Sequence, residues 1–478
     1  MINTKALREK ILDLAMRGKL VPQDPTDEPA SVLLDKIKEE KEQLIKDKKV
    51  KKEKPLPEIS REEISFEIPK NWECCRLVDL FQFVDYRGKT PNKIGKGVRL
   101  ITAKNIKPGY ISIFPEEFIS QEEHLKRNTR GNIEYGDLLI TTEAPMGNIA
   151  KNTFVEEIAI AQRTIALKPY RTVYREFFLY YLQSYIFQKQ LSLNSTGTTV
   201  KGIKAAKLKN ILVSLPPIEE QQRIVAKLEE LFALIDTIES NQLEFKQLAE
   251  QLDKKVLDLA MCGKLVPQNP TDEPASVLLD KIKKEKEQLI KDKKIKKEKA
   301  LPEISKEEIP YEIPDSWEWT RLGDSIQLLS GRDLTNDQYS NKETGIPYIT
   351  GASNFSCNHI DSVRWTESPK VEAVKGDILL TVKGTVGSIA ILTMDKVHIA
   401  RQIVAIRNIT KKIDSKYVYW FISYYVKYLQ RASKGVIPGI SRKDILDAIM
   451  PIPPLNEQKR IVTKIEMIRE SIQRIDFE

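Results

Sequence analysis

The chain has 478 residues, of which 41% are hydrophobic, and it carries a net charge of +9. This length and apolar content predict two or three domains with real cores. No apolar run reaches membrane-spanning length and no signal peptide opens the chain, so we expect a cytoplasmic protein. Four cysteines in no disulfide or zinc spacing, with only three histidines, argue against a metal site.

Most of the positive charge lies in two lysine-rich segments. Residues 35–54 contain nine lysines and six acidic residues, and residues 280–299 contain ten lysines and five acidic residues. These segments supply eight of the nine net charges, and the rest of the chain is nearly balanced. Mixed Lys/Glu runs are most often solvated helix, so the charge supports a polyanionic partner only weakly.

In chain order, the first predicted element is a helix over residues 1–20 that ends near Gly18. Residues 21–70 form a lysine-rich arm and linker, the first arm. Within it a turn-rich break precedes a polar helix over residues 30–49. The Lys-Pro-Leu-Pro stretch at residues 54–57 ends that helix, because proline cannot continue it.

Residues 71–215 are predicted to form a globular domain. Strand-like runs occur at residues 98–102, 137–142 and 158–167, and an aromatic helix follows over residues 174–193. The aromatic stripe of this helix is more typical of core packing than of base stacking. The segment therefore predicts a mixed α+β domain.

A long helix is predicted over residues 216–263, between a Pro-Pro pair and Gly263. Its apolar residues recur in alternating steps of four and three, which is the coiled-coil pattern. A single amphipathic helix on a globular core is the alternative, but Ile224 to Leu259 spans about 52 Å at ~1.5 Å per residue, which is long for one. The seam contains Ile224, Leu228, Leu231, Ile235, Ile238, Phe245, Ala249, Leu252, Val256 and Leu259, with the polar Gln242 predicted to fix register.

The chain then repeats itself. Residues 12–60 align with residues 257–305 without a gap and with five differences. Such internal repeats define the architecture of a chain. The repeat predicts a second arm over residues 264–315 and a second globular domain over residues 316–452.

The two globular domains share only short landmarks. Gly-Asp-Leu-Leu at residues 136–139 matches Gly-Asp-Ile-Leu at residues 376–379, and the second domain has its own aromatic helix over residues 416–431. Between the landmarks the sequences diverge. A constant scaffold with two different domains is the outline of a reader with two specificities.

The terminal helices supply a partner for the long helix. In residues 453–478, the run Ile461, Ile465, Ile468, Ile472 and Ile475 repeats the first half of the central seam. At the other terminus, Thr4, Leu7, Ile11 and Leu14 repeat its second half. The chain is therefore predicted to be a pseudo-two-fold repeat in which the terminal helices pair antiparallel with the central one.

Several of these motifs resemble a known family. They are Leu-Pro-Pro-Ile-Glu-Glu-Gln-Gln-Arg-Ile-Val at residues 215–225, its repeat at residues 452–462, Leu-Asp-Leu-Ala-Met-Cys-Gly-Lys-Leu at residues 257–265, and Asp-Tyr-Arg-Gly-Lys-Thr-Pro at residues 85–91. In combination, and across the whole chain, they resemble the DNA specificity subunit of type I restriction–modification systems.

The resemblance implies a fold and a function. The fold is α+β, with two mixed α/β target recognition domains, at residues 71–215 and 316–452, separated by long antiparallel coiled-coil helices. Each domain would read half of a split sequence in double-stranded DNA. Two modification (methyltransferase) subunits and two restriction (motor–nuclease) subunits would join the assembly. S-adenosylmethionine, ATP and Mg would bind in those partners, and this chain would bind no cofactor directly.

An enzyme is the rival class, and its motifs are missing. The pairs at residues 216–217 and 453–454 are Pro-Pro without the preceding Asn/Asp and following aromatic residue of an amino-methyltransferase. Gly88-Lys89-Thr90 resembles the end of a P-loop, but position 83 is Phe rather than Gly. A nuclease motif starting at Pro314-Asp315 would need a Glu-x-Lys triplet after it. The first such triplet is Glu457-Gln458-Lys459, which lies in a predicted helix. No motif supports catalysis.

A non-catalytic coiled-coil adaptor without DNA specificity remains the alternative. The heptads and arms suit it, whereas two large, divergent domains at symmetric positions argue against it. A DNA mobility shift with and without a methyltransferase partner would separate the two interpretations.

Candidate DNA contacts lie in loops rich in Gly, Lys/Arg, Ser/Thr and Asn. Arg, Asn and Gln are suited to base edges and Lys to phosphate, while each alone could be a solvated surface residue. In the first domain the candidates are Arg87, Lys89, Lys104, Asn105, Arg163, Thr198, Thr199 and Lys201. In the second domain they are Arg332, Asn354, Lys383, Gln402 and Lys434.

Overall fold

The computed structural model describes the chain in two compact units, Ile2–Gln242 (the first unit) and Leu243–Glu478 (the second unit). It leaves out residues 1, 53–55, 61–62, 65–66, 87–89, 128–130, 198–199, 298, 357–358, 411, 433–438 and 478, and the side chains of residues 430–432 and 475–477. None of the helices in the described part combines the length and apolar character needed to cross a membrane.

The first unit contains seven helices of its own within its described residues and shares an eighth. They are α1 (Thr4–Met16), α2 (Ala30–Lys46), α3 (Leu77–Leu80), α4 (Gln121–Arg127), α5 (Arg175–Gln183), α6 (Tyr185–Leu193), α7 (Ala205–Lys209) and the 44-residue α8 (Ile218–Met261). Gly18 follows α1 with φ +66°, and Gly263 follows α8 with φ +69°. Glycine tolerates this left-handed conformation, so both helices end where the sequence predicts.

The strands of the first unit are β1 (Glu73–Arg76), β2 (Phe81–Asp85), β3 (Val98–Ile101), β4 (Ile106–Lys107), β5 (Tyr110–Ile111), β6 (Phe118–Ile119), β7 (Leu138–Thr141), β8 (Ile149–Lys151), β9 (Ile158–Ile160), β10 (Thr164–Pro169) and β11 (Leu212–Leu215). An antiparallel sheet has the order β2-β10-β7-β8. A second sheet has the order β6-β3-β9, with β3 and β9 parallel. β1 pairs with β11, and β4 pairs with β5.

The helices of the second unit are α9 (Ala275–Lys291), α10 (Leu322–Ser325), α11 (Ser415–Ala432), α12 (Arg442–Leu446) and α13 (Leu455–Phe477). Its strands are β12 (Glu318–Arg321), β13 (Ile326–Ser330), β14 (Ile346–Ile349), β15 (Phe355–Ser356), β16 (His359–Ile360), β17 (Trp365–Thr366), β18 (Glu372–Val374), β19 (Ile378–Thr381), β20 (Ile389–Ile391), β21 (Lys396–Ile399), β22 (Ile403–Asn408) and β23 (Ile449–Ile452).

The second unit repeats the strand pairings of the first. Its antiparallel sheet has the order β13-β22-β19-β20, and β12 pairs with β23. A further sheet has the order β17-β14-β21-β18, in which β14 and β21 are parallel, as β3 and β9 are. The predicted α+β class with two mixed domains and an internal two-fold repeat is confirmed.

β7 and β19 are inner strands of the two antiparallel four-stranded sheets, which we call the main sheets, and both strands are buried on both faces. In β7, Leu138 and Ile140 pack with the helices α5 and α6, whereas Leu139 packs on the other side with residues of β8 and β9. Side chains alternate along a strand, so a strand covered on both faces reads as a continuous apolar run. The β19 strand follows the same pattern. Burial on both faces accounts for the apolar residues that the two domains share at residues 138–139 and 378–379.

The first half of α8 pairs antiparallel with α1. Arg8 forms an ion pair with Asp236 and lies 5.3 Å from the Phe232 ring centroid. Further along, the Gln242 side chain donates to the carbonyl of Ile2 at 3.3 Å. As the residue numbers increase along α8, those of the contacting residues in the N-terminal segment decrease. This order confirms the predicted antiparallel direction.

The second half of α8 pairs with α13 in the same way. Asp253 forms ion pairs with Arg469 of α13 and with Lys427 of α11. Arg469 also lies over the Trp420 ring, 4.1 Å from its centroid. Phe245, eight residues earlier in α8, lines a cavity with Ile472.

The residues of the predicted seam differ in burial. Leu228, Ile235, Val256, Ile461 and Ile465 are buried along with Ile224. Leu231, Ile238, Phe245, Leu259, Ile468 and Ile472 are half-buried, and the side chain of Ile475 lies outside the described residues. Leu252 was wrongly placed in the seam: it is 46% exposed, whereas the neighbouring Asp253 is half-buried and forms the ion pairs.

Two further predictions were wrong in detail. The aromatic helix over residues 174–193 is two helices, because Ser184 is extended and caps α6 through a hydrogen bond from the Phe187 amide. The apolar run over residues 158–167 is not one strand but β9 and β10 with a turn between them. That turn holds Arg163, which was expected inside a strand.

Candidate nucleic-acid interface

Four loops meet at one edge of the first unit. β3 and β9 are parallel, so both end at that edge, and β7 ends opposite the start of β10 in an antiparallel pair. The Ala161 amide donates to the Ile101 carbonyl at 2.9 Å, and the Thr142 amide donates to the Arg163 carbonyl at 2.9 Å. We call residues 102–105, 142–147, 161–163, 195–197 and 200–203 the first loop cluster.

The second unit builds the same edge with the same bonds. The Ala400 amide donates to the Ile349 carbonyl at 2.9 Å, and the Val382 amide donates to the Gln402 carbonyl at 2.8 Å. The Ile440 amide donates to the Val382 carbonyl, as Ile203 does to Thr142 in the first unit. We call residues 350–354, 382–387, 400–402 and 439–440 the second loop cluster.

A tight turn lies in each cluster. The Thr164 amide donates to the Ala161 carbonyl at 3.1 Å, and the Ile403 amide donates to the Ala400 carbonyl at 2.9 Å. The two central positions of these turns project polar side chains, Gln162 and Arg163 in the first and Arg401 and Gln402 in the second. The Arg163 side chain is 50% exposed and that of Arg401 is 71% exposed.

Basic groups in and beside the first loop cluster line a cavity of about 150 Å³. Lys104, Arg163 and Lys93 line it together with Gln162, whose side chain donates to the Thr90 hydroxyl at 3.1 Å. Glu117 pairs with Lys93 at 2.7 Å, and Glu143 lies 3.5 Å from Arg163. The acids hold the basic side chains at the rim without burying them.

In the second loop cluster, acidic and basic partners are arranged differently. Arg401 pairs with Asp333 at 2.8 Å, and Lys383 stands where the first unit has Glu143. The adjacent Arg332 is positioned through its backbone, since its amide donates to Ile399 and its carbonyl lies 2.9 Å from Nε2 of His398. Burial lowers the pKa of His398.

The two asparagine candidates have a structural role. Asn105 accepts from the Thr102 amide and hydroxyl and donates to the carbonyls of Ser112 and Pro115, and it is buried. Asn354 accepts from Thr350 and donates to Asp361 in the same way. Their amide groups are occupied in bracing the loops, so the prediction that they contact DNA is not supported for either.

The other described candidates lie in or beside the two loop clusters. Lys104, Arg163 and Lys201 belong to the first loop cluster, Lys383 and Gln402 belong to the second, and Arg332 lies beside it. Arg87, Lys89, Thr198, Thr199 and Lys434 lie outside the described residues. The sequence interpretation missed Gln162 and Arg401. Aligning Ala-Gln-Arg-Thr at residues 161–164 with Ala-Arg-Gln-Ile at residues 400–403 would have found both.

A buried carboxylate joins each domain to the scaffold. In the first joint, Glu220 accepts hydrogen bonds from Trp72 Nε1 at 2.9 Å and from Gln23 Nε2 at 2.5 Å. One helical turn later, Arg223 forms two hydrogen bonds with Asp27. The joint therefore ties the arm, the start of the domain and the start of α8. Burial raises the pKa of Glu220.

The second joint repeats these contacts residue for residue. Glu457 accepts from Trp317 Nε1 at 3.1 Å and from Gln268 Nε2 at 2.6 Å, and Arg460 pairs with Asp272 at 2.8 Å. Burial raises the pKa of Glu457 as well. Both joints use Trp, Gln, Glu, Asp and Arg at equivalent positions. This shared set of contacts accounts for the similar motifs that follow the two Pro-Pro pairs.

The arms pack on their own units. Leu33 and Ile37 of α2 are buried, as are Leu278 and Ile282 of α9. The Lys41 ammonium donates to the Val78 carbonyl at 3.0 Å, and the Lys286 ammonium donates to the Gly323 carbonyl at 3.0 Å. Because the same lysine meets the same carbonyl, the two arms dock in the same way.

No group of three or more His, Cys, Asp or Glu side chains among the described residues is arranged to hold a metal ion.

A family model described as the type I restriction modification DNA specificity domain matches residues 69–245 and 314–475. The chain is 29% identical over 99% of its length to the type I restriction enzyme EcoAI specificity subunit of Escherichia coli, of which it covers 90%. It is 29% identical over 97% of its length to the EcoEI specificity subunit of the same species, of which it covers 88%.

Solved structures match the fold. A chain from a study of complex assembly and conformational transition of the type I R-M system has a TM-score of 0.65 at 21% identity, over 86% of this chain and 93% of that one. The HsdS subunit from Thermoanaerobacter tengcongensis has a TM-score of 0.56 at 21% identity, over 86% of this chain and 92% of that one.

Proposed function

Because the chain belongs to the type I restriction modification DNA specificity family, we propose that it reads a two-part DNA sequence for a restriction–modification complex. The observation that carries the proposal is the pair of loop clusters. Both are built on the same backbone hydrogen bonds, yet their exposed polar side chains differ. One DNA-reading frame used twice with different side chains suits a target with two unlike halves.

The chemistry of the clusters fits duplex DNA. Arg and Gln side chains at the turns can make bidentate contacts with purine edges in the major groove. Lysines in the adjacent loops, such as Lys104, Lys201 and Lys383, suit phosphates, which position a protein without specifying sequence. Each cluster would read one half of the target.

The scaffold would hold the partner subunits. The arms differ at only a few positions and dock in the same way, so their outer faces present similar surfaces twice. Two similar surfaces suit two copies of one partner, which supports two modification subunits. Two restriction subunits would complete the complex. Catalysis, and binding of S-adenosylmethionine, ATP and Mg, would belong to those partners.

We expect the target to be bipartite with unlike halves. Expressing the chain with its modification subunit in a host without other methyltransferases and sequencing the methylated positions would reveal the motif. Two short specified runs separated by an unspecified gap are expected. A single contiguous motif, or a perfect palindrome, would contradict the proposal.

The isolated chain is expected to have no turnover. With S-adenosylmethionine and DNA it should transfer no methyl groups, and with ATP and magnesium it should release no phosphate, because the motifs for both reactions are missing from the sequence. Adding the modification subunit should restore methylation. Turnover by the pure chain at a rate proportional to its concentration would overturn this expectation.

A further inference from the structure

The turns in the two loop clusters carry the same two side chains in opposite order. Aligned by their backbone bonds, Gln162 corresponds to Arg401 and Arg163 corresponds to Gln402. The preceding alanines, Ala161 and Ala400, are buried equivalents of each other. The backbone is therefore held constant while arginine and glutamine exchange places.

The order matters because the two side chains prefer different bases. Arginine makes its best bidentate contact with O6 and N7 of guanine, and glutamine with N6 and N7 of adenine. A position that holds Arg in one domain and Gln in the other would therefore favour different purines. Both turn positions differ in this way.

The surroundings of the turn have changed with it. In the first unit, Ala103 and Ala144 line the cavity beside Arg163. The corresponding residues in the second unit are Gly351 and Gly384, and a Cβ on Gly351 would meet Oε1 of Gln402 at 2.5 Å. Glycine at 351 therefore lets the Gln402 amide lie directly against the neighbouring loop. The small residues beside the turn therefore differ between the clusters, with alanine in the first and glycine in the second.

The acidic partners follow the arginine. Arg163, at the second turn position of the first unit, has Glu143 at 3.5 Å. Arg401, at the first turn position of the second unit, has Asp333 at 2.8 Å. An acid beside a half-exposed arginine limits its orientations, and such exposed pairs add little stability. The pairs therefore suit orientation of a reading side chain in the absence of DNA.

We infer that the Gln162–Arg163 and Arg401–Gln402 turns read base edges, one in each half of the target, and that their opposite order makes the halves unlike. This inference rests on the proposed function, and it assigns specificity to two positions in each domain. Lysines of the same loop clusters then serve the phosphate backbone.

The test exchanges the two residues within one turn. The double variant Gln162→Arg/Arg163→Gln, assembled with the modification subunit, keeps composition and net charge. Methylation of the parental target should fall roughly 10- to 100-fold. A library of duplexes should show altered base preference in one half and an unchanged other half. The matched variant Arg401→Gln/Gln402→Arg should alter only the other half.

Single variants keep the inference testable if a double variant fails to fold. Arg163→Lys retains the charge but not the planar fork, so it should lose discrimination as Arg163→Gln does. An Arg163→Gln complex that keeps the parental base preference and activity would overturn the inference. Equal weakening on all sequences, or altered preference in both halves, would overturn it too.

The parental complex separates this inference from the proposed function. If the parental complex methylates no bipartite target, the proposed function fails before any variant is compared. If it does so and the exchanged turns leave both halves unchanged, only the inference fails.

Discussion

Leu228→Asp is expected to unfold the first unit and leave the second unit folded. Leu228 is fully buried in the core that contains Ile11 of α1 and Phe232 of α8. Removing a buried leucine side chain costs about 2–5 kcal/mol. A carboxylate without a partner in the same place costs more. A domain is stable by only about 5–15 kcal/mol, so the loss is a large share of the total.

The repeat supplies a matched variant and two controls. Ile465 of α13 is the counterpart of Leu228 and is equally buried, so Ile465→Asp should unfold the second unit instead. Leu234 in α8 and Met467 in α13 are 55% and 56% exposed, and Leu234→Asp and Met467→Asp should change little.

Calorimetry and hydrogen exchange followed by mass spectrometry would measure these effects. We expect a transition lowered by about 10 °C or lost, with rapid exchange confined to the unit that carries the variant. A Leu228→Asp protein that melts and exchanges like the parent would show that the Leu228 side chain does not stabilise the core of the first unit.

The architecture could be predicted because the sequence states it twice. Heptad steps depend only on spacing, and the helix-ending glycines depend only on local conformation. The repeat identified the partner of each half of α8, which a single copy could not have done. Leu252 shows the limit: it is exposed beside Asp253, whose ion pairs with Lys427 and Arg469 join three distant segments and cannot be read from heptad spacing.

The loop clusters were predicted less completely, for local reasons. Residues 161–163 contain neither glycine nor proline, so the turn between β9 and β10 had no signal and the run read as one strand. The asparagines failed for the opposite reason. Asn favours loops because it bonds to nearby backbone, so Asn105 and Asn354 marked the loops correctly while their side chains were already occupied.

Glu220→Ala is expected to loosen the first joint. The Trp72 indole and the Gln23 amide would lose their acceptor inside the protein, at about 1–3 kcal/mol for each unsatisfied donor. Removing a carboxylate whose pKa is raised by burial offsets part of this cost. We therefore expect a net loss of about 2–4 kcal/mol.

Because the joint connects three segments, its failure should have a distinct pattern. Amides of residues 21–29, of the chain around Trp72 and of the first turns of α8 should exchange faster, while the main sheet stays protected. Glu457→Ala should do the same at the second joint and spare the first. Glu219→Ala is the control, since the neighbouring Glu219 is exposed on the same helix turn.

The joint also predicts a functional readout. A domain held loosely on α8 would present its loop cluster in many orientations, so the complex would lose affinity for the target as a whole while keeping its base preferences in both halves. Exchange of the turn residues has the opposite signature, with altered preference at intact stability. A Glu220→Ala complex that binds as tightly as the parent, or one that changes the bases it prefers, would show that the carboxylate does not set the orientation of the domain.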